Sequence, residues 1–216
     1  QIATVKAVLN SAKCLSNYDK NSQVNIINVF GEWNNFKNIC DQDNIKIINL
    51  TNFNFNLPIN GFLKSRFFYI FISIVSIFKL PLIIFKLKPD YFIAHLIVIP
   101  VLFISMFSSK TKFILRISGL PKLNFFRKNI WKVLSKNLHL VTCPTQGTLN
   151  QIIKLNIFEK NKIFLLEDPV LNVKEITKKR LENIPFEAGY ILSVGRLTYQ
   201  KNFEFLIENF SKIQNE

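Results

Sequence analysis

The 216-residue chain alternates short runs of β-branched and aromatic residues with longer stretches of helical period. Seven runs read as strands: residues 24–30, 45–50, 91–95, 112–117, 138–143, 162–167 and 190–194. Helical stretches cover 2–15, 63–85, 97–107, 125–136, 145–155 and 201–213. Several strand runs are apolar throughout instead of alternating, as a strand must be when helices cover both faces of its sheet. The order of elements therefore dictates an α/β class fold, a doubly wound, Rossmann-like, mostly parallel sheet.

The alternation breaks after Pro169. Residues 171–188 are charged, carry Pro185 and hold only a weak apolar stripe (Val173, Ile176, Leu181). A fresh strand run then starts at Tyr190. The expected organisation is one domain over 1–170, a connector over 171–188, and the first β-α unit of a second Rossmann-like domain over 189–216. A lone β-α unit cannot enclose a core, so the second domain is expected to continue past Glu216, and the chain is read as a fragment.

With 49 % hydrophobic residues and 22 Phe, the composition excludes a disordered chain. Three widely spaced cysteines, Cys14, Cys40 and Cys143, form neither a disulfide framework nor a metal knuckle, which suits a reducing cytoplasm. The net charge of +14 raises nucleic acid and anionic lipid as partners. No zinc-finger spacing or aromatic RNA-binding signature accompanies it, so nucleic acid is set aside and lipid headgroups are retained. Residues 67–85 could be mistaken for a membrane span. Lys79 and Pro81 lie inside the stretch, however, and cations flank it on both sides (Lys64, Arg66; Lys86, Lys88). A charge at mid-membrane costs about 2.5–3.5 kcal/mol on insertion scales. A helix lying on a bilayer or buried in the protein is the expectation. An integral hairpin across 67–107 is the rival.

The most chemical stretch is Tyr190-Ile-Leu-Ser-Val-Gly195-Arg196-Leu-Thr-Tyr-Gln-Lys201-Asn202, a strand run, a glycine, and two cations at the mouth of a helix. Gly195 permits close backbone approach. Arg196 offers a planar fork of donors and Lys201 a compact charge. The free N–H groups of the new helix point the same way. Together these groups suit a phosphate-bearing ligand without a metal ion.

This stretch resembles the "GRL-x-x-QKN" segment of retaining nucleotide-sugar glycosyltransferases of the two-domain GT-B fold (family four). The resemblance implies that residues 1–170 form most of the acceptor domain, and that a strand and glycine-rich loop would lie before Gln1. It implies that Gly195, Arg196 and Lys201 hold the donor diphosphate. Lys88-Pro89-Asp90-Tyr-Phe-Ile-Ala-His95 is similar to the family strand that delivers a histidine to the interdomain cleft. His95 is thereby a candidate catalytic residue, its neutral imidazole hydrogen-bonding an acceptor hydroxyl or the donor sugar. A histidine satisfied by a neighbouring backbone group is the alternative. His139, ahead of an apolar strand, reads as structural.

Arg116-Ile-Ser118-Gly119-Leu-Pro121 ends the following strand. Many relatives place a histidine at or beside position 118, sometimes as a catalytic group, and serine here removes that base. Arg116, Ser118 and Gly119 are then cleft or acceptor residues, with Arg116 gripping an anionic acceptor such as a lipid diphosphate. A strand-ending turn with a surface arginine is the alternative. Thr145 caps a helix, and Asp168-Pro169 occupies the hinge position where the family more often has Asn.

The resemblance implies transfer of a sugar from a nucleoside-diphosphate sugar to a polysaccharide or lipid-linked acceptor, in bacterial cell-surface glycan synthesis. It implies no metal or other cofactor, and a cytoplasmic protein held peripherally on the membrane. Two glutamates that bind ribose and sugar in relatives would lie beyond Glu216, so this stretch alone is expected to be catalytically incomplete. A non-catalytic membrane-surface scaffold is the alternative function.

Overall fold

The computed structural model describes residues 2–18, 21–31, 33–52, 62–95, 98–107, 110–121, 123–169, 173–182, 189–195 and 197–213. The chain divides into two compact units, Gln1–Leu171 and Asn172–Glu216.

In the first unit, α1 (Ile2–Tyr18) leads to β1 (Asn25–Asn28), α2 (Lys37–Gln42) and β2 (Lys46–Asn49). Then follow α3 (Phe62–Leu87), β3 (Tyr91–His95), α4 (Val98–Ser105), β4 (Lys112–Arg116), α5 (Phe125–Leu134), β5 (Leu140–Cys143), α6 (Gln146–Leu155) and β6 (Ile163–Leu165). All pairings are parallel, as the β-α alternation requires. They do not make one sheet, however. β1 pairs with β2, and β3-β4-β5-β6 form a separate four-stranded sheet; among the described residues nothing bridges β1 to β3.

The larger core is built where helices cover the four-stranded sheet. Phe113 and Leu115 of β4 and Val141 of β5 are buried against Val101, Leu102 and Ile104 of α4, with Leu80 and Ile84 of α3 in the same cluster. The smaller core joins Leu9 and Ala12 of α1 to Ile26, Trp33, Cys40 and Ile45. Local signals start and stop the helices. Asn124 accepts from Arg127 N at 3.0 Å to cap α5, Thr145 accepts from Thr148 N at 3.1 Å to cap α6, and Asn156 ends α6 at φ 51°.

An integral hairpin across 67–107 is overturned by this packing. β3, inside that stretch, is hydrogen-bonded to β4, and α4 buries Pro100, Val101, Leu102, Ile104 and Ser105 in the domain.

The second unit holds α7 (Val173–Lys179) and α8 (Phe203–Ile213). The strand expected at 190–194 does not form: no strand pairs with it among the described residues, and Ile191, Leu192 and Val194 are exposed. A strand is a paired element, and its apolar composition cannot create the partner. α8 begins two residues later than its periodicity suggests. A 3-10 turn at Tyr199–Lys201 and Asn202 at φ 47° come first.

Candidate functional site

The carboxyl ends of β3, β4, β5 and β6 gather the unusual groups of the first unit, at the edge where ligands of open α/β sheets bind. His95 ends β3 directly beside Arg116, which ends β4. Arg116 in turn lies beside Thr142 of β5.

Arg116 is buried, and its donors are turned inward. Nε donates to Asp168 Oδ1 at 2.7 Å, Nη2 to the Leu166 carbonyl at 2.7 Å, and Nη1 to Thr142 Oγ1 at 3.4 Å. Neither expectation for Arg116 matches this position. It is not a surface arginine, and its guanidinium is committed within the protein instead of standing open to an anionic acceptor. What it does is tie the chain leaving β6 to the end of β4. Beyond the buried Ile117, Ser118 and Gly119 are exposed. A Cβ at Gly119 would meet nothing within 4 Å, so packing does not demand glycine there.

Among the described residues His95 Nδ1, which is buried, has no partner. Burial, and secondarily the Arg116 charge, lower its pKa to about 4, against the opposing pull of Asp168. The imidazole is therefore neutral near pH 7, able to donate or accept one hydrogen bond but weak as a proton acceptor. The alternative of a histidine satisfied by backbone does not describe Nδ1. The Cys143 thiol, next along the edge, is pushed up by burial, with Arg116 opposing, so it is no activated nucleophile.

His95 also lines a cavity of about 930 Å³ between β1 and β3, walled by α1 and α3. The lining is largely aliphatic and aromatic. All three buried side-chain atoms without a partner among the described residues, Asn25 Oδ1, Ser76 Oγ and His95 Nδ1, belong to residues of this wall.

Two site residues escaped the sequence reading. Asp168 reads as a hinge residue, whereas it is the carboxylate that compensates Arg116. An arginine in an apolar strand was the available signal, since a buried guanidinium needs a counter-charge. Asn28 is buried at the end of β1, donating to Asn34 Oδ1 at 2.9 Å and Asn49 Oδ1 at 2.8 Å. Its own Oδ1 accepts from Gly31 N and Trp33 N, fixing the turn at the cavity rim, with Gly31 at φ 91°. Nothing in its local sequence marks it among the chain's many asparagines.

In the second unit, Gly195 and Lys201 come together at the entrance to α8. A Cβ on Gly195 would lie 3.2 Å from Phe203 Cζ and 3.5 Å from Lys201 Cγ. Glycine is thus favoured here by close approach and not by a left-handed backbone. Arg196 lies outside the described residues. The exposed Lys201 ends the 3-10 turn, and Phe203 opens the helix whose free N–H groups face the same entrance.

No protein-family model matches the chain. In sequence, 119 residues are 24 % identical to the N-acetylgalactosamine-N,N'-diacetylbacillosaminyl-diphospho-undecaprenol 4-alpha-N-acetylgalactosaminyltransferase of Campylobacter jejuni, covering 51 % of this chain and 32 % of that protein. In structure, the whole chain superposes on 55 % of a glycosyltransferase from Rickettsia africae with a TM-score of 0.66 at 16 % identity. It also matches a UDP-GlcNAc 2-epimerase from Neisseria meningitidis, solved with UDP-GlcNAc, at TM-score 0.54 and 13 % identity, over 82 % of this chain and 48 % of the other. The chain thus spans about a third of its curated relative and about half of each of these solved structures. It is an α/β protein with parallel sheets, sharing its fold with a bacterial glycosyltransferase and distantly related in sequence to another.

Proposed function

We propose that this chain is part of a retaining glycosyltransferase that moves a hexose-type sugar from a nucleoside diphosphate to a polysaccharide or lipid-linked acceptor. The work is done at the cytoplasmic face of a membrane, in cell-surface glycan synthesis. The observation that carries the reading is the apposition of Gly195 and Lys201 at the entrance to α8, within the run 195–202. The relatedness to a transferase acting on a diphospho-undecaprenol-linked sugar supports the lipid-linked acceptor.

Breaking the bond between the anomeric carbon and the β-phosphate leaves an electron pair on the diphosphate. The Lys201 ammonium, the Arg196 fork and the α8 N-terminus neutralise that charge as it grows. Arg196 takes this role from its place in the sequence. Two fixed cations and a helix end supply what a divalent metal otherwise would, so the reading needs no resident metal. Removing one such fixed group costs about 10²–10³ in rate, by analogy with oxyanion donors. His95 serves as a neutral hydrogen-bonding group for a sugar hydroxyl, and not as a general base, because a histidine with a pKa near 4 is a poor proton acceptor at pH 7.

Calorimetric titration of the protein, expressed from its full open reading frame, with UDP and GDP tests the reading. Binding should weaken at least about tenfold in Lys201→Ala and in Arg196→Ala, the loss expected for a charge-assisted phosphate contact. Unchanged affinity in both variants overturns the donor-site assignment and leaves the scaffold reading standing.

A further inference from the structure

We infer that α3 and α5 form a surface that seats on an anionic lipid bilayer, with α3 lying in the interface and not crossing it. α3 is predominantly apolar, and its two faces have different fates. Phe68, Ile72, Leu80 and Ile84 turn into the core. On the opposite side, Phe67, Ile70, Ile74, Phe78, Leu82 and Phe85 recur every three or four residues and are all exposed. Phe67, Phe78, Leu82 and Phe85 are exposed by 75, 72, 70 and 80 %. From Phe67 to Phe85 this stripe runs about 27 Å along the helix axis at 1.5 Å per residue. Large contiguous apolar patches on a soluble protein mark places of attachment.

A second exposed apolar stripe lies on α5, near α3. The Tyr69 phenol of α3 bonds the backbone of Val98 at the start of α4 and feels the charge of Arg127 on α5. α5 exposes Phe125 and Phe126, each by 75 %, together with Ile130 and Val133. α4 packs against both α3 and α5, and each of these two helices presents aromatic and aliphatic side chains to solvent.

Charge selects the occupant. From Phe62 to Lys136 there are thirteen Lys or Arg residues and one acid, Asp90, a balance of 13 − 1 = +12 out of +14 for the whole chain. Lys79 and Lys86 flank the α3 stripe, and Arg127 and Lys132 flank that of α5; all four are exposed. A nucleic acid would use the cations but leave a row of phenylalanines in water. A second protein copy would set these exposed cations against their own like charges. An interface of acyl chains beneath anionic headgroups satisfies both features. Phe67–Leu87 is long and apolar enough to cross a membrane. Its inner face is built into the core through Leu80 and Ile84, so α3 lies flat. This inference deepens the membrane-face part of the proposed function by naming the surface that seats there, and its test involves no nucleotide.

Sedimentation of the purified protein with vesicles of phosphatidylcholine alone, or mixed with phosphatidylglycerol, tests it. Wild type should bind the mixed vesicles at least about tenfold more tightly. The triple variant Phe67→Ser/Phe78→Ser/Phe85→Ser should lose at least about tenfold on mixed vesicles, since it removes only the outward stripe. Circular dichroism and the thermal midpoint check its fold. Lys79→Glu/Lys86→Glu, which keeps the stripe, should lose the preference for phosphatidylglycerol. The inference is overturned if wild type stays in the supernatant, or if the triple variant binds as wild type does. It is also overturned by resistance to alkaline carbonate, by lipid-free self-association that the triple variant abolishes, or by tighter binding to an oligonucleotide than to vesicles. Nucleotide titration of the same preparations is read separately, so either conclusion can fail alone.

Discussion

Arg116 at the end of β4 and Asp168 beyond β6 are joined across 52 residues of sequence by a 2.7 Å hydrogen bond from Nε to Oδ1. Arg116 is buried, while the Asp168 side chain is 25 % exposed. Removing the carboxylate strands a guanidinium inside the domain, whereas an amide keeps an acceptor without the charge. Asp168→Ala should therefore lower the unfolding free energy by about 3 kcal/mol, the lower end for breaking a buried pair, because one partner retains some water. Asp168→Asn should cost about half as much. Urea denaturation of the two variants checks the order, and equal stabilities would show that the pair is only a neighbourly contact.

His95 adds a pH dependence of defined sign. Its pKa falls from 6.5 to about 4 on folding, through burial first and the Arg116 charge second. Between pH 6.5 and pH 4 the unfolded chain takes up a proton that the folded protein refuses, so stability falls as the pH falls through that window. The full shift corresponds to at most about 3 kcal/mol, reduced by the water that reaches a half-buried ring. Denaturation midpoints measured from pH 7 to pH 4 should drop less steeply in His95→Gln. Asp168→Ala, which removes the charge that supports protonation, should push the His95 titration lower still, as read from its Cε1–H resonance.

Ser76 is a buried hydroxyl on α3 without a partner among the described residues, facing the cavity between β1 and β3. Ser76→Ala removes an unsatisfied polar atom and installs a better helix former. It should raise stability by about 0.5–1.5 kcal/mol in the same denaturation assay. Destabilisation would mean that the hydroxyl finds a partner in solution.

The parts of the fold written into the sequence are those governed by local rules. β3 and the beginning of α5 fall where their hydrophobic runs place them, and Thr145 caps α6 as its position suggests. What a single chain pattern does not carry is pairing. Nothing in residues 24–30 or 91–95 tells that β1 and β3 stand apart with a cavity between them, and nothing in 190–194 tells that its partner strand is lacking among the described residues. The site divides along the same line. Gly195 and Lys201 are close in sequence and meet in space. Arg116 looks like an open cation until Asp168, distant in sequence, is found against it.

Gly195 provides the sharpest test of the α8 entrance. The aromatic ring of Phe203 lies where a side chain at 195 would be, 3.2 and 3.3 Å from an added Cβ. These distances are tighter than ordinary van der Waals contact, so Gly195→Ala must displace the ring or the turn by a few tenths of an ångström. The displaced turn carries Lys201, whose Cγ would lie 3.5 Å from the same Cβ. If Lys201 holds a diphosphate, Gly195→Ala should weaken UDP or GDP binding by about tenfold, or 1.4 kcal/mol, although alanine touches no ligand. Shrinking the obstacle should reverse the loss: Gly195→Ala/Phe203→Leu is expected to recover most of the affinity, while Phe203→Leu alone changes it little. Non-additivity of this kind is the signature of two residues sharing one space. Additive losses in the double variant would instead mean that Gly195 serves the backbone directly, with Phe203 a bystander.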